Sequence, residues 1–138
     1  MLALHALRPL IERAWSRETT YLPDEWERHD PAWGQCAVTA AMVQQILGGE
    51  LMMGTARLPD GGETNHFWNR VAGVEVDLTA RQFPVGAEIR NALPVSRRRA
   101  LECAWMLERF MRLQEAVAGT VTDAATAREL AAPVGRKR

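Results

Sequence analysis

The stretch Trp33-Gly34-Gln35-Cys36-Ala37-Val38-Thr39-Ala40 decides how this chain is read. Here a loop turns into a helix. From Cys36 to Leu47 the apolar Val43, Ile46 and Leu47 join a small-residue face of Ala37, Ala40 and Ala41, and Gly48-Gly49 supplies the glycines that suit a helix C-terminus. So many alanines let neighbours approach closely on several sides, which predicts a central, buried helix. The same stretch sets a thiol in the first turn, where unsatisfied N–H groups and the positive end of the helix dipole stabilise a negative sulfur.

Downstream, Glu50 to Arg57 reads as a strand, and Leu58-Pro59-Asp60-Gly61-Gly62 as a turn combining Pro, Asp and Gly. Thr64–Val71 and Val74–Thr79 form a predicted β-hairpin about Ala72-Gly73. Alternation divides it into two faces. One carries Phe67, Val71, Val74, Val76 and Leu78, with Asn69 as the exception; the other carries His66, Trp68, Arg70, Glu75, Asp77 and Thr79. With Ala72 and Gly73 at the centre of an even loop, Trp68 lies opposite Asp77 and His66 is the diagonal neighbour of Asp77. Diagonal Cα atoms are about 7–8 Å apart, within reach of an imidazole–carboxylate hydrogen bond. An odd loop without a bulge would separate the two groups onto opposite faces. A helix packed on the Phe67/Val76/Leu78 face requires Cys36 to meet His66 around a sheet edge, or the polar face itself to be covered.

Upstream, residues 2–17 carry Leu4, Leu7, Leu10, Ile11, Ala14 and Trp15 at helical spacing, with Pro9 marking a first-turn position or a kink. Asp24 to Pro31 reads as a loop with at most one helical turn. Trp15, Trp26 and Trp33 are expected to pack beneath the cysteine loop. Gln82-Phe83-Pro84-Val85-Gly86 closes the hairpin block. After Leu93-Pro94 a single long helix is expected from Ser96 to Ala118, burying Leu101, Trp105, Leu107, Phe110, Met111 and Val117, with Cys103 in the core and Arg97–Arg99 on a solvated first turn. The chain therefore reads as one α+β domain over residues 1–118, with a short helix and a frayed tail in 119–138. No internal repeat is present.

Composition bounds the function. Seventeen basic residues balance seventeen acidic ones, so no global field draws the chain to nucleic acid. Hydrophobic residues at 47% and charged residues at 25% describe a globular protein rather than a disordered one. No apolar run reaches membrane-span length, and the opening Met1–Leu7 lacks the basic start of a secretory signal. With only Cys36 and Cys103 a disulfide framework is not expected. A cytoplasmic protein is the resulting expectation, without nucleic-acid or membrane partners.

Gly34-Gln35-Cys36, then His66-Phe67-Trp68-Asn69, then Val76-Asp77-Leu78-Thr79 with Gln82 nearby, resemble the three active-site blocks of transglutaminase-like enzymes, which share the papain-like Cys-His-Asp arrangement. Over Ala14 to Pro84 the chain also resembles the YunG-like family of small bacterial proteins, through Gly34–Ala40, Gly48-Gly49-Glu50, His66, Trp68-Asn69-Arg70 and Glu75–Thr79. These resemblances imply a compact papain-like fold, a central Cys-bearing helix on a small antiparallel sheet with N- and C-terminal helices around it. They imply Cys36 as nucleophile, His66 as general base and acid, and Asp77 as the group that orients the imidazole.

Thiol chemistry on an amide or thioester requires those residue types: a sulfur that attacks, an imidazole that manages the proton, a carboxylate that fixes the tautomer. The developing oxyanion needs two donors. The backbone N–H of Cys36 is one, and Gln35, Trp33 or Trp26 is available for the second, with Trp68 a further substrate-side candidate. No cofactor is expected, and zinc held by Cys36, His66 and Asp77 lacks a fourth ligand. His5 and His29 are expected on solvated surface. The alternative is a non-catalytic interaction module, since the short intervals between the three blocks leave little room for a substrate cleft.

Overall fold

A computed structural model describes residues 3–120; the short helix and tail expected beyond residue 120 lie outside the described residues. Among the described residues the fold is α+β, with four α-helices and one four-stranded antiparallel sheet. In chain order these are α1 (Leu4–Ala14), α2 (Cys36–Leu47), β1 (Glu50–Arg57), β2 (Glu63–Val71), β3 (Val74–Val76), β4 (Glu88–Val95), α3 (Arg97–Ala100) and α4 (Ala104–Ala118). Single 3-10 turns lie at Trp26–Arg28 and Ala80–Gln82.

The helix that opens at Cys36 is central, as its alanines predict. α2 lies against β2 and β1 on one side and against α4 on the other, and α1 packs on α4. Nine of its residues from Ala37 to Ile46 are buried. Helix and sheet share one apolar core, with Leu7 and Ile11 of α1, Val38, Met42 and Val43 of α2, and Phe110 and Leu113 of α4. The sheet side of that core comes from Leu51, Val76 and Leu78. α1 is shorter than the apolar spacing implies, and Pro9 falls inside it rather than at its first turn.

The sheet order is β3-β2-β1-β4. β1 keeps the expected bounds. The hairpin turns on Ala72 and Gly73, both with positive φ (50° and 78°), the two-residue geometry that matches strand twist. Pairs Asn69↔Val76, Arg70↔Glu75 and Val71↔Val74 establish the even-loop register. β3 stops at Val76, three residues earlier than alternation predicts, and this releases Asp77 from the ladder.

Two features depart from the sequence reading. β4 was not legible: Glu88–Val95 has no buried alternating face, contains Pro94, and bulges where Asn91 takes φ 59° opposite Gly54. It is the edge strand beside β1, a position where proline is tolerated. The second departure is the C-terminal helix, which breaks at Leu101–Cys103 into α3 and α4. In an unbroken helix Leu101 would sit roughly 140° round the axis from Met106. The break lets both face the core, at 5% and 2% exposure. Cys103 consequently becomes the exposed N-cap of α4 instead of a core residue. The buried stripe of α4 is Met106, Phe110, Leu113, Gln114 and Val117, leaving Trp105, Leu107 and Met111 exposed. Arg97–Arg99 form a one-turn helix whose N-cap Ser96 Oγ accepts from Arg99 N–H.

Candidate active site

The loop before Cys36 is fastened from three directions. Tyr21 N–H donates to Gly34 O (2.8 Å), Thr20 Oγ1 donates to Trp33 O (2.6 Å), and Gly34 N–H donates to Gln82 Oε1 (3.0 Å). Gly34 holds φ +72°, and a Cβ there would stand 2.2 Å from Thr20 Oγ1, so both conformation and space demand glycine. Gln35, fully buried, accepts from Thr19 Oγ1 (2.8 Å) and donates to Ser16 O (3.1 Å). Its amide ties the helix start to residues 16–19. Trp15 lies beneath, donating its indole N–H to Thr39 Oγ1 (3.0 Å). Cys36 emerges half-buried as the first residue of α2.

On the hairpin, Asn69 faces α2 and donates to Ala40 O (2.9 Å), fixing strand to helix. His66 lies on the other pleat, and that pleat is covered: His66 is 0% exposed, stacked on Trp68 (centroids 5.6 Å, 18° between planes) and met edge-on by Phe83 (4.8 Å). Trp68 in turn donates to Glu75 Oε1 (2.9 Å), whose other oxygen takes Arg70 Nε at 2.6 Å. Asp77, one residue past β3, presents Oδ2 to His66 Nε2 at 2.6 Å. Its Oδ1 accepts from Thr79 N–H (3.2 Å) and Thr79 Oγ1 (3.4 Å), a local turn that aims the carboxylate. The expected diagonal contact is thus present, made by a residue that has left its strand.

With Nε2 taken, the remaining ring nitrogen, Nδ1, is buried and has no hydrogen-bond partner among the described residues. The other side chain acting on the ring is Cys36. Burial, the largest influence, disfavours the imidazolium, but it is outweighed by the interactions with Asp77 and Cys36, the Asp77 hydrogen bond first among them. The His66 pKa is pushed up to about 9. The imidazole is thus fixed to the Asp77 carboxylate through Nε2, with Cys36 near enough to act on its charge. Three ligands converging on one metal ion would be a different arrangement, and among the described residues no group of three His, Cys, Asp or Glu is placed to hold one.

Sequence reasoning gave Gln82 no role, yet it joins two of the three blocks. Its Nε2 donates to Thr79 Oγ1 (3.1 Å) while its Oε1 accepts from Gly34 N–H, connecting the Asp77 turn to the Cys36 loop. No local pattern announces this, because the partners are 48 residues apart in the chain.

A family model described as "YunG protein" matches residues 3–122. The chain belongs to the YunG family. It is 32% identical over 91 residues to "Uncharacterized protein YunG" of Bacillus subtilis (strain 168), covering 66% of this chain and 71% of that protein. No solved structure matches it. The matched stretch takes in every element described above, so the Cys36–His66–Asp77 arrangement sits on the YunG-family part of the chain.

Beside Cys36 this YunG-family fold leaves a cavity of about 360 Å³, room that the short intervals between the blocks do not foretell. Trp33, Gly34, Met53, Phe67 and Phe83 line it together with Cys36. So does the α3–α4 break, through Arg99, Ala100, Glu102, Cys103 and Met106. Of the expected donors, Trp33 lines the cavity and its buried Nε1 has no hydrogen-bond partner; His29, exposed as expected, stacks on its ring at 4.0 Å. Trp26 spends its N–H on Pro31 O (3.0 Å), and Trp68 lies behind His66. Among the described residues no helix is long and apolar enough to cross a membrane.

Proposed function

We propose that this chain is a thiol-dependent acyl-chemistry enzyme of papain-like, transglutaminase-like design, acting on an amide, ester or thioester. One observation supports the reading: a wholly buried imidazole bonded to Asp77 (2.6 Å) and influenced by Cys36, beside a cavity that Cys36 lines. A structural histidine needs no such partners, and burial alone would drive it neutral. Held as imidazolium, His66 is the counter-charge for a Cys36 thiolate.

In the proposed reaction the sulfur attacks the carbonyl carbon, the C–S bond forms, and the carbonyl π pair moves to oxygen. The oxyanion is met by Cys36 N–H, one of the first-turn donors without an intrahelical partner, and by Trp33 Nε1. A buried indole N–H left unpaired costs about 1–3 kcal/mol, which a substrate oxygen would offset. Collapse expels the leaving group, which takes its proton from His66. His66 then accepts a proton from water or an acceptor amine as that nucleophile breaks the thioester. Asp77 keeps the ring oriented and stabilises its charge throughout.

The test is acylation by p-nitrophenyl acetate followed by intact mass and peptide mapping. An acetyl group on Cys36, absent in Cys36→Ala and slowed about 10²-fold or more in His66→Gln, is the expected result. A wild-type chain that gains no acetyl group overturns the reading.

A non-catalytic interaction module is the second reading, favoured by the exposed Trp105, Leu107 and Met111 on α4. It expects partner binding to survive Cys36→Ala unchanged.

A further inference from the structure

We propose that the cavity beside Cys36 is an acyl pocket for a bulky apolar acyl group, and that the α3–α4 break sets its size; the inference rests on the acyl chemistry proposed above. Cys36 lines the cavity, so a group that fills it is attached to the carbonyl that the sulfur attacks. Its volume of about 360 Å³ is far more than an acetyl group needs and falls within the range of small-molecule sites. Met53, Phe67, Phe83, Ala100 and Met106 give it an apolar lining. The charged lining residues, Arg99 and Glu102, are exposed and pair with each other at 3.3 Å, so neither is a buried charge calling for a charged ligand. Arg97–Ala100 would continue into α4 if the helix were unbroken. The break instead brings Ala100 and Met106 to the same cavity wall. Ala100 is the small residue of that wall, so its side chain decides how much acyl group fits.

An apolar acyl group reaches such a pocket either as a straight chain or as the branched or aromatic side chain of an aminoacyl unit. The experiment compares p-nitrophenyl acetate, octanoate and N-acetyl-leucinate on the full chain with Cys103→Ser. Acylation of Cys36 displaces p-nitrophenolate: the C–S bond forms and the ester C–O bond breaks with its electron pair leaving on oxygen. Rates are divided by those of free cysteine with each ester, which removes intrinsic reactivity. Burying methylenes at about 0.8 kcal/mol each predicts octanoyl or N-acetyl-leucyl transfer at least tenfold faster than acetyl transfer. The faster of the two names the source. Ala100→Leu should lose most of that preference, read as the ratio of the larger acyl rate to the acetyl rate. Met106→Leu, which conserves volume, should retain it. Equal normalised rates for all three esters overturn the acyl pocket while leaving the thiol chemistry standing. A preference unchanged in Ala100→Leu overturns the role of the break. If no ester acylates Cys36, the catalytic reading fails and this inference with it.

Discussion

The two cysteines stand in surroundings that look alike along the folded backbone. Each begins a helix, Cys36 as the first residue of α2 and Cys103 as the N-cap of α4, and both line the same cavity. The difference is the hairpin. His66 has Cys36 and Asp77 acting on it, not Cys103. A helix terminus offers partial charge that fades within one turn. A buried imidazolium fixed by a carboxylate offers a full charge in a water-excluded place. The contrast teaches that two helix starts on one cavity differ in what the rest of the fold brings to them: Cys36 has the His66–Asp77 pair, and Cys103 has not.

Alkylation by iodoacetamide is the sharpest way to break that contrast. Cys36 should react about 10²-fold faster than Cys103 in the native chain, a ratio read by mass spectrometry of each peptide. His66→Gln should bring the two rates within a few-fold. Equal rates in the native chain would remove the distinction altogether.

The next effect is on stability. His66 titrates near 6.5 unfolded and about 9 folded, so the folded state binds the proton more tightly. The stabilisation is fully present below pH 6.5 and is lost as pH rises through 9. Its size is on the order of 3 kcal/mol. Urea unfolding from pH 6 to 9.5 should show this fall, and His66→Gln should remove it. Cys103→Ser should leave the slope unchanged, because the thiol at α4 has no share in the proton.

How much of this was legible follows from the same contrast. α2 and β1 announced themselves through alanine spacing, apolar period and paired glycines. The Ala72-Gly73 turn fixed a register that set His66 diagonal to Asp77, which holds in the structure because the loop is even. Two things were hidden. β4 is exposed along nearly its whole length, so no alternation marks it. The break before α4 has no Gly or Pro in Arg97–Met106; burial of Leu101 alongside Met106 causes it, and that is a tertiary effect. Hence the sequence pattern places Cys103 and Trp105 in the core, where the fold exposes both. The cavity wall formed by that break was equally invisible. The family resemblance named Cys36, His66 and Asp77 as candidates and quoted Thr79 and Gln82 beside them, but the hydrogen bonds that give those two a role emerge only from the folded contacts.

Gly34→Ala perturbs the loop at the cysteine end. The added Cβ meets Thr20 Oγ1 at 2.2 Å and the φ of +72° is strained for alanine. A loss of about 1–3 kcal/mol in urea unfolding is expected, with Cys36 alkylation slowed and Cys103 alkylation unaffected. A neutral substitution would mean the loop before Cys36 is not held as described.

Gln82→Leu is the subtlest probe, since it conserves shape while removing both hydrogen bonds of the bridge. It leaves Gly34 N–H and Thr79 Oγ1 without this partner, for a cost of about 0.5–1.5 kcal/mol. If Gln82 merely packs, Gln82→Leu changes neither rate. If it sets the distance between the cysteine loop and the Asp77 turn, Cys36 alkylation slows while Cys103 keeps its native rate, and Gln82→Glu, which retains the acceptor for Gly34 N–H, recovers part of the loss. The two cysteines then serve as internal reference for each other: a general loosening of the fold moves both rates, and only a displaced imidazole moves one.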